Sequence, residues 1–155
     1  MALETKTNLR PETIKNLQEL IQVNVDSKDG FEQAAHDIED MTLSTLFQSL
    51  AHQRDEQARE LAKFVEWNRE KPQRTGSYAA ALHRGWMSIR EMLSTNNLYA
   101  ILAEAERGED QIKAAYESAL KETAGSAVND VLLRQFRQVK AAHDRVRDLR
   151  DEHHK

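Results

Sequence analysis

Apolar side chains recur at intervals of three and four along most of the chain, and this spacing restricts the fold more than any other property of the sequence. Ile14, Leu17, Ile21, Val25, Phe31, Ala35 and Ile38 make one such row, and Leu43, Leu46, Phe47, Leu50, Gln57, Leu61 and Phe64 a second. A third passes through Leu98, Leu102, Ala105, Ile112, Tyr116 and Leu120, and a fourth through Val128, Leu132, Phe136, Val139, Val146 and Leu149. With 3.6 residues per helical turn, each row becomes a stripe on one helix face that has to be buried against another stripe. The pattern predicts an all-α chain with long helices over 12–39, 42–70, 98–122 and 127–151.

The breaks between rows agree with these limits. Asn8-Leu9-Arg10-Pro11 is a helix entry, since proline suits the first helical position. Asp40-Met41-Thr42 supplies a short turn with capping side chains, and Gly125-Ser126 a second stop and cap. Helices joined so tightly lie antiparallel, which predicts two hairpins. Between them, Lys71-Pro72-Gln73-Arg74-Thr75-Gly76 reads as a loop. Ser77 then caps a shorter helix over 78–93, carrying Ala79, Leu82, Trp86, Ile89 and Leu93, before Thr95-Asn96-Asn97 interrupts it. A segment of that length reaches roughly 24 Å. That is enough to return the chain to its starting end, so the second and third long helices should run parallel, as in ferritin-like bundles with one crossover. One helical-bundle domain over 1–155 is the expected organisation.

Composition narrows the function classes. Five glycines and two prolines in 155 residues exclude a loop-rich β protein or a low-complexity linker. The absence of cysteine removes disulfides, thiolate metal sites and cysteine nucleophiles. The longest apolar run, Leu98 to Ala103, is far short of the roughly 18 residues needed to cross a bilayer. The first ten residues carry no apolar stretch of the signal-peptide kind, so a soluble, cytoplasmic protein without a membrane partner is expected. A net charge of −4 gives no reason to expect nucleic acid. Leu, Ile, Val and Phe together number only 33, so alanine and polar groups must fill part of the seam. Gly30, Gly85 and Gly108 fall inside predicted helices, where close helix approach is the expected reason for them.

Several charged residues lie in phase with the stripes: Lys28 and Glu32, Arg54 beside Gln53 and Gln57, Glu106 and Glu109, and Lys140 and His143. A buried charge must be paired or change its protonation state. Hairpin turns near residues 41 and 124 set Lys28 opposite Arg54, Glu32 near Leu50, Glu109 opposite Val139 and Lys140, and Glu106 near His143. The expectation is a mid-bundle carboxylate–cation network centred on Glu109, Lys140 and His143. A carboxylate-bridged two-metal site would occupy the same place, built from single glutamates and Glu-x-x-His pairs. Here Lys140-Ala141-Ala142-His143 and Arg54-Asp55-Glu56-Gln57 put cations at two ligand positions, which contradicts a complete two-metal site.

Weaker candidates are the Glu32/His36 and His52/Glu56 pairs, each four apart and able in principle to chelate one metal, though exposed helix pairs are far commoner. His83 sits one turn before Trp86 and belongs at the edge of the core, and His153 and His154 to a terminal tail. Arg134, Arg137, Arg145, Arg147 and Arg150 interleave with Asp144, Asp148, Asp151 and Glu152, the pattern of a solvated face or partner surface. No phosphate loop or nucleophile elbow is present.

Four segments carry a resemblance: Gly30-Phe31-Glu32-Gln33-Ala34-Ala35, Ala81-Leu82-His83-Arg84-Gly85-Trp86, Ala103-Glu104-Ala105-Glu106-Arg107-Gly108-Glu109-Asp110, and Ala142-His143-Asp144-Arg145-Val146-Arg147-Asp148-Leu149. From Ile14 to Asp151 the chain resembles a family of bacterial ferritin-like four-helix-bundle proteins catalogued as a domain of unknown function. The resemblance implies a ferritin-like fold; the wider superfamily includes metal-storage, oxidase and peroxide-handling proteins, whose ligand pattern this chain departs from. The leading expectation is a non-catalytic bundle with no cofactor, acting as a homo-oligomer or through a protein partner. The competing one is an iron- or manganese-dependent oxidase or peroxide-handling enzyme using Glu32, Glu106, Glu109 and His143 as metal ligands.

Overall fold

A computed structural model describes residues 4–72, 84, 87, 89–93 and 97–153. Among the described residues there are four long helices: α1 (Pro11–Asp37), α2 (Met41–Trp67), α3 (Leu98–Glu122) and α4 (Asn129–Glu152). Among the described residues the only bridge of β type is the isolated pair Thr5 and Asn8. Of the expected helix over 78–93, residues 84, 87 and 89–93 are helical, and the others, His83 and Gly85 among them, lie outside the described residues.

Local chemistry sets the ends. Pro11 opens α1, and α1 stops where Ile38 turns to extended backbone (ψ 135°). Asp40 caps α2 by accepting from the Leu43 N–H at 2.9 Å, and Ser44 Oγ donates to the Ala35 carbonyl at 2.8 Å, which closes the first hairpin. The Trp67 end of α2 comes three residues before the predicted limit, because Arg69 takes a left-handed φ of 66°. Asn68 then ties that end to the N-terminal segment: its Oδ1 accepts from Leu9 N, and its Nδ2 donates to the carbonyls of Lys6 and Phe64. Asn97 caps α3 by accepting from Ala100 N, and beyond Thr123 the chain turns through Gly125 at φ 78°.

The buried apolar residues fall into two clusters, one at each end of the bundle. The first joins Leu17, Leu20 and Ile21 of α1 to Leu61, Phe64 and Val65 of α2, Ile112 and Tyr116 of α3, and Val131, Leu132 and Val139 of α4. The second joins Phe31 and Ala35 of α1 to Leu43, Leu46, Phe47 and Leu50 of α2, Ile101, Leu102 and Ala105 of α3, and Ala142 and Val146 of α4, with Ile89 beside them. The start of α1 therefore lies with the ends of α2 and α3 and the start of α4. Both hairpins are antiparallel and α2 and α3 run the same way, so the end of α2 and the start of α3 lie at opposite ends of the bundle. Fully buried side chains such as Leu17, Phe47, Leu61 and Leu102 each stabilise this arrangement by about 1.5–3 kcal/mol through loss of water-exposed surface.

Two expectations need correction. Gly30 and Gly108 are not sites of close helix approach, since a Cβ at either would meet nothing within 4 Å. Phe136, placed on the stripe of α4, is only partly buried, and the fully buried position next to it is Gln135. No helix among the described residues is long and apolar enough to cross a membrane.

Candidate functional site

Polar side chains lie between the two apolar clusters, close to the midpoints of α1, α2 and α3, and extend into the first cluster at Gln135 of α4. Asn24, Arg54, Glu109 and Gln135 have no exposed surface, and Ser27, Gln57 and His143 are nearly as deep. Each is in phase with its helix's apolar stripe, so the winding that buries the stripe buries these groups as well. Their polar atoms then need partners inside the protein.

Arg54 and Glu109 form an ion pair between α2 and α3, with both side chains entirely buried. The other arm of the guanidinium donates to Gln53 and, at 3.3 Å, to Gln57. Gln57 passes the connection to α4 through a 3.0 Å bond to Gln138. A second chain of bonds runs alongside. Asn24 Nδ2 donates to the Tyr116 hydroxyl (2.8 Å), which donates to Gln135 Oε1 (2.7 Å), and Gln135 Nε2 donates to Glu60 Oε1 (2.7 Å). Burial pushes the Tyr116 phenol well above its ordinary value, against the opposing hydrogen bond from Asn24. It therefore acts as a neutral donor and acceptor. Among the described residues, four buried atoms of this layer have no hydrogen-bond partner: Asn24 Oδ1, Ser27 Oγ, Arg54 Nε and Glu109 Oε1.

The residues picked out on the stripes divide into three sets. Arg54 and Glu109 come together, although Glu109 was expected opposite Lys140. Lys140 is exposed, and Arg54 reaches the carboxylate from across the bundle. Glu106 pairs with Arg150, whereas His143 lies against Asp110 at 2.6 Å and Asp144 at 3.0 Å. The hydrogen bond from His143 holds the Asp144 carboxyl below its usual range. The α3–α4 hairpin thus pairs one to two turns away from the register implied by a turn at residue 124. Lys28 is half-buried and bonds along its own helix to Asp29 and Glu32 rather than facing Arg54, and Glu32 is exposed. The proposed ligands Glu32, Glu106, Glu109 and His143 do not converge, and no group of three His, Asp or Glu side chains able to hold a metal occurs among the described residues.

The weaker candidates resolve as surface chemistry. His52 bonds Glu56 at 2.8 Å on an exposed face, and Arg134, Arg147 and Arg150 each carry an acidic partner. Solvent screening leaves exposed pairs of this kind little weight in stability. Asn24, Tyr116, Gln135 and Glu60 were missed as members of the network. Asn24 lies three residues after Ile21 and Gln135 three after Leu132, so an uncharged amide in phase with the stripe was the signal available. Tyr116, by its place in the third row, reads as apolar filling.

No curated protein matches the chain. A family model described as a domain of unknown function (DUF2383) matches residues 12–122, which takes in α1 from its second residue, α2 and the whole of α3, and leaves α4 outside the match. That span contains Asn24, Arg54, Glu109 and Tyr116 and most of the chain, and the chain belongs to this family of unknown function.

Proposed function

We propose that the chain is a non-catalytic, ferritin-like bundle that works by association, with copies of itself or with another protein, in the cytoplasm. The observation that supports this reading is the Arg54–Glu109 pair. In two-metal carboxylate bundles, glutamates at the middle of the helices turn inward to bridge cations. Here the inward-facing glutamate already has a guanidinium as its cation. Arginine remains charged at any ordinary pH, so it does not give way to a metal by losing a proton. Withdrawing it would leave a buried charge without a partner. The mid-bundle polar groups, half-buried Lys28 and exposed Glu32 and Lys140 included, then serve helix register and solubility rather than chemistry.

The test is elemental analysis of untagged protein purified without chelators, run beside sedimentation analysis of its assembly state. The expected result is far less than one equivalent of iron or manganese per chain, together with a defined oligomer or a partner retained on gentle purification. About two equivalents of either metal would overturn the proposal in favour of a metal-dependent oxidase or peroxide-handling enzyme.

A further inference from the structure

Both hydrogen-bonded chains described above begin at one place on the surface. A polar groove of about 200 Å³ between α2 and α4 is lined by Glu56, Gln57, Glu60, Arg134 and Gln138. From Gln57 one chain leads to Arg54 and Glu109, and from Glu60 the other leads through Gln135 and Tyr116 to Asn24. Each ends on a buried acceptor without a partner, Glu109 Oε1 in the first case and Asn24 Oδ1 in the second. Arg54 Nε, a donor without a partner, belongs to the same layer, as does Ser27 Oγ, one turn along α1 from Asn24.

We infer that the centre of the bundle binds water between α1, α2 and α3, held by Asn24, Ser27, Arg54 and Glu109 and exchanging with solvent through the α2–α4 groove. Charge decides the class of ligand. The Arg54–Glu109 pair is already neutral as a unit, so an added cation or anion would bury an uncompensated charge. A neutral ligand that both donates and accepts matches two acceptors, one N–H donor and one hydroxyl. Water meets that requirement with the two to four polar partners that internal waters usually have. The Gln57–Gln138 bond and the Glu60 contacts to Gln135 and Arg134 close the route at the groove. Exchange then requires these side chains to part, without any helix moving.

Magnetic relaxation dispersion of water on the full chain reads this directly. The expected signal is a dispersion step from at least one water that stays longer than the protein takes to tumble. Gln138→Ala removes part of the closure and leaves all four holding groups in place; it should keep the bound water while shortening its residence time several-fold. The double variant Arg54→Met/Glu109→Leu should lose part of the step, and Asn24→Leu/Ser27→Ala serves the same purpose should the first fold poorly. A step equal in the parent and in whichever double variant folds would overturn the inference. So would a high-resolution crystal structure in which Arg54 Nε bonds Glu109 Oε1 directly, with no solvent density beside Asn24.

Discussion

Removing Glu109 while leaving Arg54 in place probes the energetics of the polar layer most directly. In Glu109→Leu the guanidinium keeps its bonds to Gln53 and Gln57 but loses its counter-charge, and neither member of the pair has any exposed surface. Breaking a buried pair from one side costs about 3–5 kcal/mol, because the remaining ion is desolvated without compensation. For a chain of 155 residues, one kcal/mol corresponds to about 3 °C in the midpoint of thermal unfolding. The single variant should therefore melt about 9–15 °C below the parent. The double variant Arg54→Met/Glu109→Leu removes both charges and fills similar volume with apolar groups. Such replacements are often neutral or stabilising, so it should return to within about 1 kcal/mol of the parent or exceed it. Thermal and urea unfolding followed by circular dichroism, with Arg54→Met as the fourth corner of a double-mutant cycle, measures the coupling. The reasoning fails if Glu109→Leu costs less than about 1 kcal/mol, since Arg54 would then be finding solvent through the Gln57 side of the groove. It fails equally if the double variant melts as low as the single one, because the pair would not be acting as a unit.

Two other outcomes follow from groups away from the centre. The Glu4 carboxyl accepts from the N–H groups of Arg10 and Ala127 and from Thr13 Oγ1, each at 2.8 Å. Burial tends to raise its pKa, but these bonds and one from Ser126 outweigh that and hold it at about 2, from an ordinary value of 4.5. A lowered folded-state pKa means that its contribution is complete above about 4.5 and fades as the pH falls towards 2, where folded Glu4 also takes up a proton. Melting temperatures of the parent and of Glu4→Gln should therefore differ at neutral pH and draw together between pH 4.5 and 2; a gap that stayed constant would show that the ionised carboxylate plays no part. At Gly30 and Gly108 a methyl group would meet nothing within 4 Å, so Gly30→Ala and Gly108→Ala should each stabilise the protein by about 0.5–1 kcal/mol in urea unfolding. Destabilisation of either would restore the tight-packing explanation for that glycine.

Much of this arrangement could be read from residue types and spacing. The stripes located all four long helices, Pro11 and Asp40 fulfilled the capping roles their chemistry suggests, and α3 begins and ends at the predicted residues. These are short-range matters, governed by side chains within one turn of each other. The parallel run of α2 and α3 was also legible, because the segment between them is long enough to return the chain to its starting end. Arg54 and Glu109 were legible as polar groups on the stripes, whereas Glu32 and Lys140, singled out by the same spacing, lie at the surface.

Which charge meets which was decided only by the packed bundle. A stripe gives the direction in which a side chain points around its helix and says little about its height relative to a neighbouring helix. A displacement of one to two turns in the α3–α4 hairpin sends Glu106 to Arg150 and His143 to Asp110. Length and flexibility add a second freedom. Arg54 spans from α2 to Glu109 on α3, while Lys140, nearer by hairpin counting, remains at the surface. Uncharged groups were the least visible: Asn24, Tyr116 and Gln135 acquire their role only once three helices bring them within 3 Å of one another. The sequence by itself determined the helices, their ends and the existence of a polar layer, because these follow from local sterics and from the period of the α-helix. The partners inside that layer, and the groove that leads to it, were settled by tertiary structure, because they depend on the relative height of helices far apart in the chain.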